Sequence, residues 1–419
     1  MTQSQKDSLS VLIVFALVIG ALFLLIKTPV KLGLDLRGGM MVVLAAKPLE
    51  GGKPTEEEID QAKYIVEERV NGLGVSEPQI ERQVGTPNII VQLPGVKDPD
   101  QALRLIRSTA LLEFKEVTDP KTMILGPTLM TGKAIQSARV GTDDLGRPKV
   151  LFQLTSAGAQ KFADITRRMA PAKKQLAIVL DGKVVSAPTV QTEINGGKGE
   201  ITGKYSFDEA KNLVLVLNTG ALPVKLEVAQ QQTIGPTLGQ DSLRQALRAG
   251  LVGLLIVAVY MLIMYRGLGL VSITALLVFA AVFGGILKLV GTTLTLPGIA
   301  GMILTIGLAA DSSIVYFERY REEFRRGKEP RASAKSGFKH AFRTMVDADA
   351  TTLIIAFTLI VLSYLYFGAG PVRGFALTLS IGIGCDLFTV YFFTRPTLNK
   401  LAGLALFKNP IFIGVRRAG

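Results

Sequence analysis

The chain has 419 residues, of which 48% are hydrophobic and 19% are charged, and its formal net charge is +13 at pH 7. This composition is too apolar for an ordinary water-soluble enzyme. The positive charge does not indicate a nucleic-acid partner, because residues 28–243 hold 26 Lys and Arg against 25 Asp and Glu and are nearly neutral.

Six apolar runs are long enough, or nearly so, to cross a bilayer as helices. The first run has no small-residue cleavage site before Lys27, which favours an uncleaved anchor over a secretory signal. The expected fold is an α-helical polytopic membrane protein with six spans and a large extracytoplasmic α+β domain. The spans are predicted at residues 9–27, 244–265, 267–290, 297–318, 347–367 and 372–394.

The domain between the first two spans begins with a ferredoxin-like pattern. Residues 39–117 have the order β-α-β-β-α-β that is typical of that fold. Its first helix opens with a capping box, in which Thr55 is followed three residues later by Glu58. The segment LLEFKEV (111–117) is predicted as the strand that closes this lobe.

A second α+β pattern follows, and the strand PVKLEV (223–228) is predicted to close it. It has a hairpin turn at Asp181-Gly182 and its own capping box, Ser206 with Glu209. The two lobes are therefore expected to be ferredoxin-like, with one inserted in the other or following it. We predict a base of about residues 28–125 plus 204–235 and a head of about residues 126–203.

The basic connection between the fourth and fifth spans sets the orientation. Residues 319–346 are predicted as a loop, and nine Lys and Arg lie within them. The positive-inside rule places this loop in the cytoplasm, together with the N-terminus (1–8) and the tail (395–419). The same topology places three segments outside: residues 28–243 and the turns at 291–296 and 368–371.

The chain carries no recognisable catalytic motif. Its only histidine, His340, lies in the basic loop, which excludes a histidine-based triad or metal site. The nearest approach to a phosphate-binding loop, Gly126 to Lys133, is one residue too long and is followed by Ala134 instead of a hydroxyl residue. The single cysteine, Cys385, lies within a span and forms no disulfide framework. We therefore expect that the protein is not an enzyme and holds no metal or cofactor. Its function is expected to depend on binding and on conformational movement.

Four carboxylates lie in or next to the apolar spans. Asp311 stands in the middle of the run TIGLAADSSIVYFERYREE (305–323). An Asp at a helix centre costs on the order of 2.5–3.5 kcal/mol on insertion, so such a residue indicates function. At about 1.5 Å per residue, Asp311 and Asp386 lie roughly 21 Å below the outer ends of their spans, and Asp347 and Asp349 about 9 Å further in. This series predicts a proton path to the cytoplasm. The alternative for Asp311 is a structural pair with a basic residue of a neighbouring helix, and Asp349 and Asp386 could be incidental polar residues.

Several motifs in order along the chain resemble the SecD/SecF family of the bacterial Sec protein-export machinery, within the resistance-nodulation-division superfamily. The resemblance runs from residue 31 to 396 and is closer to the separate SecD subunits than to the fused form. The motifs are KLGLDLRGG (31–39), GPTLGQDSLRQ (235–245), TLTLPGIAGMILTIGLAADSSIVYFERYREE (293–323), DADATTLI (347–354) and FGAGPVRGFALTL (367–379).

The resemblance implies a subunit in the cytoplasmic membrane of a bacterium that uses the proton-motive force, with protons as the coupling ion. It would promote late-stage export of polypeptides, after SecA and the SecYEG channel have acted. Its direct partner would be SecF as a second polypeptide, in addition to the translocating polypeptide and SecYEG. SecA would be an indirect partner and YajC or YidC a further one. No nucleic acid is expected.

The family's proton-relay aspartate corresponds to Asp311 and its second acid to Asp347. The sequence departs from the family pattern at three places, Ser312-Ser313 for Ala-Asn, Asp349 for Asn, and Asp386 for a small residue. We expect Asp386 to form a coupled pair with Asp311 that titrates in two steps. The residues predicted to support the relay are Ser312, Ser313, Thr351 and Thr352.

The signature after the first span contains Asp35 and Arg37, which could contact the substrate. A hinge or a packed salt bridge where the anchor meets the domain is the favoured interpretation. The glycines of the signature permit backbone angles that other residues resist. The signature positions are Gly33, Asp35, Arg37, Gly38 and Gly39.

Three other functions remain as alternatives. An intramembrane aspartyl protease needs a Gly-x-Gly-Asp motif, which residues 382–386 (GIGCD) miss by one residue, and no Tyr-Asp partner is present. A small-molecule exporter of the same superfamily shares the proton chemistry but usually carries both transmembrane halves in one chain. A passive membrane scaffold that holds a polypeptide-binding domain is the third alternative.

Overall fold

A computed structural model describes residues 3–415 apart from 28–29, 50, 76–77, 120–121, 144, 204 and 368–370. The structure divides into two compact units. Residues 39–233 form the α+β unit, and residues 1–38 together with 234–419 form the helical unit. Most of the turn predicted at 368–371 and the end of the predicted tail lie outside the described residues.

The α+β unit contains two lobes built from short strands and four helices in its described part. The helices are α3 (Glu56–Gly72), α4 (Pro99–Arg107), α5 (Ser156–Met169) and α6 (Phe207–Thr219). The strands are β1 (Gly39–Pro48), β2 (Gln79–Arg82), β3 (Asn88–Pro94), β4 (Leu112–Asp119), β5 (Ile124–Thr131), β6 (Ile135–Thr142), β7 (Pro148–Leu154), β8 (Leu176–Leu180), β9 (Lys183–Ser186), β10 (Lys198–Ile201) and β11 (Val224–Ile234).

The first lobe, the base, is a sheet in the order β11-β1-β3-β2 with α3 and α4 packed against it. β3 runs antiparallel to both β1 and β2, and its register with β1 pairs Val42 with Val91. Side chains of α3 such as Ile59 and Val66 fill the core between helix and sheet. The order of strands and helices is that of a ferredoxin-like fold, which confirms the predicted class.

The segment predicted to close the base belongs to the other lobe. β4, which contains this segment, lies between β5 and β8 in a second sheet. The position in the base sheet that was predicted for this segment is occupied by β11. Leu112 and Phe114 of β4 are buried with Phe152 and Phe162 in the core of that lobe. Both β4 and β11 alternate apolar and polar residues, and this alternation does not specify which sheet a strand joins.

The second lobe, the head, contains two antiparallel sheets, β10-β7-β6 and β5-β4-β8-β9, with α5 and α6. Ala210, Leu213 and Leu217 of α6 lie in its core. The head therefore extends from β4 to α6 and is inserted between α4 and β11. Insertion was one of the predicted alternatives, but the head is wider than the predicted range of 126–203, because β4, β5 and α6 belong to it.

A buried arginine joins the two connections between base and head. Arg69 of α3 is 0% exposed and donates to the carbonyl oxygens of Leu105 and Ile106, the first at 3.1 Å, and of Ser108. It also donates to the carbonyl oxygen of Gly220 at 2.9 Å. Burial lowers the pKa of Arg69 to about 10, so the guanidinium stays charged at neutral pH.

Both predicted capping boxes are confirmed. The Thr55 hydroxyl accepts from the Glu58 N–H at 3.2 Å, and the Glu58 carboxylate accepts from the Thr55 N–H at 2.8 Å. Ser206 and Glu209 make the same reciprocal pair at the start of α6. Each pair satisfies N–H groups that a helix start otherwise leaves without partners.

Replacing Thr55 with Ala is expected to destabilise α3 by about 1 kcal/mol, because the helix loses its cap. Hydrogen exchange of the α3 amides in the full chain measures this change. The hydrogen bonds from Thr55 lower the pKa of Glu58 below 4.5. The contribution of Glu58 is therefore present above pH 4.5 and is lost as the pH falls through the lowered value. Both proteins should lose this contribution in acid, because Thr55→Ala keeps the backbone N–H that the Glu58 carboxylate accepts, and the difference between them should remain. Glu57→Gln should leave exchange unchanged; equal exchange of Thr55→Ala and wild type at neutral pH would contradict this prediction.

The helical unit contains six helices that are long and apolar enough to cross a membrane, within the part of the chain that the structure describes. They are α1 (Gln3–Lys27), α7 (Pro236–Tyr265), α8 (Gly267–Val290), α9 (Leu296–Arg325), α10 (Pro330–Leu362) and α11 (Pro371–Thr389). Further helical segments include the one-turn helix α2 (Leu34–Arg37) and α12 (Arg395–Leu401), and a π-helical turn, Val390–Thr394, joins α11 to α12. α8, α9 and α11 are the more buried of the spans, whereas α1, α7 and α10 are mostly exposed.

The predicted basic loop at 319–346 is helical over most of its length. α9 continues to Arg325 and α10 already begins at Pro330, so only a short turn separates them. Ion pairs one turn apart stabilise the extension of α9, such as those of Glu322 with Arg319 and Arg326. Charge marks the end of an apolar run, but it does not end a helix.

The tail after the sixth span folds back onto the neighbouring helix ends. The N–H of Gly267 donates to the carbonyl oxygen of Phe412 at 3.0 Å, and Arg266 donates to that of Ile411 at 2.8 Å. Phe407 and Ile413 are buried in the same cluster. The described part of the predicted tail, residues 395–415, is therefore an ordered part of the helical unit.

Candidate functional site

Asp311 lies on the exposed face of α9. Leu304 and Glu318, two turns before and after it, are exposed on the same face, and a Cβ at Gly307 would meet open space. Among the described residues, Asp311 has no hydrogen-bond or ion-pair partner. The structural pair with a basic residue of a neighbouring helix, the alternative for this residue, is not formed within the described part of the chain.

Asp386 of α11 faces the inside of the helical unit, where its side chain is 3% exposed. Its Oδ2 accepts a hydrogen bond from the Ser312 hydroxyl of α9 at 2.5 Å. Ser312 directly follows Asp311, so Asp386 and Asp311 lie at a similar level along their helices. The carboxylates of Asp311 and Asp349 are both near enough to interact electrostatically with that of Asp386.

The two acids of α10 differ in burial. Asp349 is 7% exposed, and its Oδ2 is buried without a hydrogen-bond partner among the described residues. Asp347, two residues earlier, is exposed. Because α10 packs against both α9 and α11, Asp349 lies among the same three helices as Asp386 and Ser312.

The other hydroxyl groups predicted to support the relay bond to their own helices. Ser313 donates to the carbonyl oxygen of Ala309 at 3.3 Å. Thr351 and Thr352 both donate to that of Ala348. Of the four predicted hydroxyl groups, Ser312 is therefore the one that binds a carboxylate, among the residues that the structure describes.

Three positions that were expected to depart from the pattern of the resembling family meet in this site. Ser312 binds Asp386, and Asp349 acts on the same carboxyl group. The sequence predicted that these residues belong to one relay, but not which of them contact each other, because they are separated along the chain and lie on three helices.

The signature after the first span binds the start of α9. The N–H of Gly33 donates to the carbonyl oxygen of Leu294 at 2.7 Å, and the N–H of Leu294 donates to that of Lys31 at 2.8 Å. The Asp35 carboxylate accepts the N–H of Leu296, the first residue of α9. Burial raises the pKa of Asp35, and this hydrogen bond opposes the shift.

The salt bridge between Asp35 and Arg37, one of the two favoured interpretations beside a hinge, is not formed. Arg37 is exposed, and residues two apart in a helical turn point to different sides. Gly38 has φ +75°, and a Cβ there would lie 2.7 Å from the Cα of Pro236, so this position requires glycine. Gly39 also has a positive φ, of 132°. The signature therefore forms a tight turn that connects to α9 and α7.

Sequence reasoning missed a buried arginine beyond Asp311 on α9. Arg321 is 6% exposed and donates to the carbonyl oxygens of Met264 at 2.7 Å and Ile413 at 2.9 Å. It also pairs with Glu318. The spacing of Glu318 and Arg321 is a helical ion-pair pattern that could have indicated that α9 continues, although not what Arg321 binds.

Family models match this chain over most of its length. Their descriptions and matched residues are "SecD/SecF GG Motif" at 23–48, "Protein translocase subunit SecDF, P1 domain, N-terminal" at 59–119, "SecDF, P1 head subdomain" at 109–224, and "Protein export membrane protein SecD/SecF, C-terminal" at 216–403. The match to the head subdomain covers the range from β4 to the start of β11, in agreement with the structure.

Proteins named protein translocase subunit SecD are similar along nearly the whole chain. That of Dictyoglomus turgidum is 42% identical over 388 residues, which cover 93% of this chain and 94% of that protein. That of Acidaminococcus fermentans is 43% identical over 408 residues, covering 97% and 93%.

Solved structures of SecDF have the same fold. The crystal structure of SecDF from Thermus, described as a translocon-associated membrane protein, has a TM-score of 0.66 and 38% identity. The match covers 95% of this chain and 59% of the Thermus chain. With this identity over nearly its whole length, the chain is a multi-pass membrane protein that belongs to the SecD family of protein translocase subunits.

Proposed function

We propose that this chain is one half of a proton-driven accessory complex of the Sec machinery, in which Asp311 carries the coupling proton. The observation that carries the proposal is the exposed position of Asp311, in the middle of an apolar span and without a partner in the described chain. Protons are then the coupling ion, and no other cofactor is needed.

The exposed Asp311 supports a partner subunit on this face of α9. A carboxylate facing lipid costs on the order of 2.5–3.5 kcal/mol even on the lower scales, so acids within spans face protein or water. A second six-span half that covers the stripe of Leu304, Gly307 and Asp311 would remove Asp311 from lipid. This chain matches 59% of the Thermus SecDF chain, and the unmatched part of that chain could form such a half. We propose that a separate SecF-type subunit fills this place and supplies a basic residue near Asp311.

A series of acids supports a path for protons toward the cytoplasm. Asp311 is followed in this path by the buried Asp386 and Asp349, and then by the exposed Asp347. The Ser312 hydroxyl connects the helix of Asp311 to Asp386. The basic residues after Asp311 favour a cytoplasmic position for this end of the spans.

The signature supports a mechanical connection between proton binding and the α+β unit. Asp35 and Gly33 bind the start of α9, the helix that carries Asp311 further along. The α+β unit begins directly after the signature, at Gly39. Movement of α9 would therefore be passed to the segment from which the α+β unit extends. We place this unit on the extracytoplasmic side of the membrane. There it would act on a polypeptide that SecA has driven through SecYEG. YajC or YidC are further candidate partners.

Vesicles test whether the second half is required. We expect a proton gradient to stimulate translocation of a Sec substrate when the vesicles contain this chain together with a SecF-type half. Vesicles with this chain alone should show no stimulation, because Asp311 lacks its covering surface. An ionophore that collapses the gradient serves as the control. Proton-stimulated export by the chain alone would contradict the requirement for a partner, and movement of a small molecule instead of a polypeptide would favour the exporter alternative.

A further inference from the structure

Two buried acids and one hydroxyl group form a polar cluster inside the helical unit, apart from the exposed Asp311. Asp386 is 3% exposed, Ser312 is 7% exposed and Asp349 is 7% exposed. They come from α11, α9 and α10, three helices that pack against one another. Polar groups in such a position are costly unless each has a partner.

The hydrogen bond between Ser312 and Asp386 uses one carboxylate oxygen only. The Ser312 hydroxyl donates to Oδ2 of Asp386 at 2.5 Å, a length typical of a bond to a charged acceptor. This bond holds the Asp386 side chain in a fixed orientation, and the other oxygen makes no hydrogen bond with a residue that the structure describes.

Asp349 has an oxygen that lacks a partner. Its Oδ2 is buried and makes no hydrogen bond with any residue that the structure describes. Its carboxyl group is also close enough to Asp386 to interact with it electrostatically. Two buried acids that interact electrostatically cannot both be charged at low cost.

The neighbouring helices provide no counter-charge at this position among the residues described. The groups that act on the Asp386 carboxyl are Ser312, Asp349 and Asp311. Cys385, which precedes Asp386 on α11, carries no positive charge either. The charged residue of α8, Lys288, donates its amine to the carbonyl oxygens of Leu24 and Leu25 of α1. A proton is therefore the simplest means to neutralise the cluster.

We propose that Asp349 and Asp386 bind one proton between them, at a site inside this chain that is separate from Asp311 and that Ser312 positions. Proton binding adds one hydrogen to a carboxylate oxygen, and proton release restores the second charge. The pair would receive a proton after Asp311 and pass it toward Asp347; this transport role rests on the function proposed above, whereas the binding site itself does not.

Infrared spectroscopy of the full complex in lipid across a pH series tests the site, with the band of protonated carboxylic acids as the readout. The wild type should lose the protons of this pair in two separate steps, as coupled acids do. Asp349→Asn and Asp386→Asn should each remove one of the two steps, and the double variant should remove both. Asparagine keeps the shape of the side chain, so the variants should assemble at the wild-type level, and size-exclusion profiles check this.

Two further variants distinguish this site from Asp311 and test the role of the hydroxyl group. Ser312→Ala should keep both steps but move one to higher pH, because the hydroxyl no longer stabilises the ionised carboxylate. Asp311→Asn should leave both steps in place even though it stops proton-driven export, so the site and the proposed function can fail independently. The site is overturned if either single variant at Asp349 or Asp386 leaves both steps unchanged. It is also overturned if replacing Na⁺ with choline shifts the steps, since a metal cation would then bind in place of the proton.

Discussion

Asp311→Asn is expected to abolish the part of export that depends on the proton-motive force, with no change in the amount of protein in the membrane. Asparagine has the shape of aspartate but no proton to release at any physiological pH. Because Asp311 has no partner among the described residues, the substitution removes no structural contact within this chain. Translocation of a Sec substrate into inverted vesicles, with and without a proton gradient, measures the effect.

A second carboxylate provides the matched control. Asp241 of α7 is exposed, and its one partner in the described part of the chain is Arg244, in an ion pair of 3.9 Å. Asp241→Asn makes the same chemical change and should retain full stimulation by the gradient. If the Asp311→Asn complex responds to the gradient as strongly as the control, Asp311 does not carry the proton.

Arg69→Met is expected to destabilise the α+β unit by about 3 kcal/mol or more, because each buried carbonyl left without a donor costs about 1–3 kcal/mol. The carbonyl groups of Leu105, Ser108 and Gly220 all lose their donor, and they lie on both connections between base and head. Relief from burying the charge offsets part of this loss. Urea unfolding followed by far-ultraviolet circular dichroism, or hydrogen exchange of residues 105–111 and 219–222, measures the change.

Arg104 offers a control on the neighbouring helix α4, where it is exposed. Arg104→Met should change the free energy of unfolding by no more than about 0.5 kcal/mol. Arg69→Lys should resemble Arg69→Met, because an ammonium group cannot reach the same set of acceptors as the guanidinium. A stable Arg69→Met variant with wild-type exchange at both connections would show that these hydrogen bonds do not hold the lobes together.

Asp181 acts on the same connection from the side of the head. Its carboxylate accepts the N–H of Leu111 at 2.9 Å, the N–H of Ala110 at 3.2 Å and the hydroxyl of Ser108 at 3.0 Å. Arg69 of the base and Asp181 of the head therefore both bind the connection that contains Ser108. Their substitutions share a partner in Ser108, so their effects are expected not to be additive.

The membrane spans were predictable from the sequence because length and apolar content are sufficient to identify them. The ends of the spans were less predictable. α7 begins at Pro236, well before the predicted residue 244, and α9 and α10 extend into the predicted basic loop. Helices continue through charged segments as long as those segments favour helix and form ion pairs one turn apart.

The ferredoxin-like class of the base was predictable from the order of strands and helices, but the assignment of β4 and α6 to the head was not. Strands and helices have the same local patterns in either lobe. The assignment depends on contacts between distant residues, such as Phe114 with Phe152 and Phe162.

The sequence identified Asp311 by its apolar surroundings, but not which side of α9 it faces. Helical spacing places Asp311 and Ser312 on different faces, and only packing shows that Ser312 faces inward to Asp386 while Asp311 faces outward. The predicted coupled titration of Asp311 and Asp386 therefore stays a prediction. The closeness of Asp349 to Asp386 was not predicted from the sequence.

Proton movement across the membrane tests the central claim most directly. Vesicles that hold this chain with its SecF-type half and a pH-sensitive dye inside report proton flux while a polypeptide is being exported. We predict flux in the wild type and in Asp241→Asn, and none in Asp311→Asn. Equal flux in Asp311→Asn and wild type would contradict the claim that the exposed carboxylate of the fourth span carries the proton.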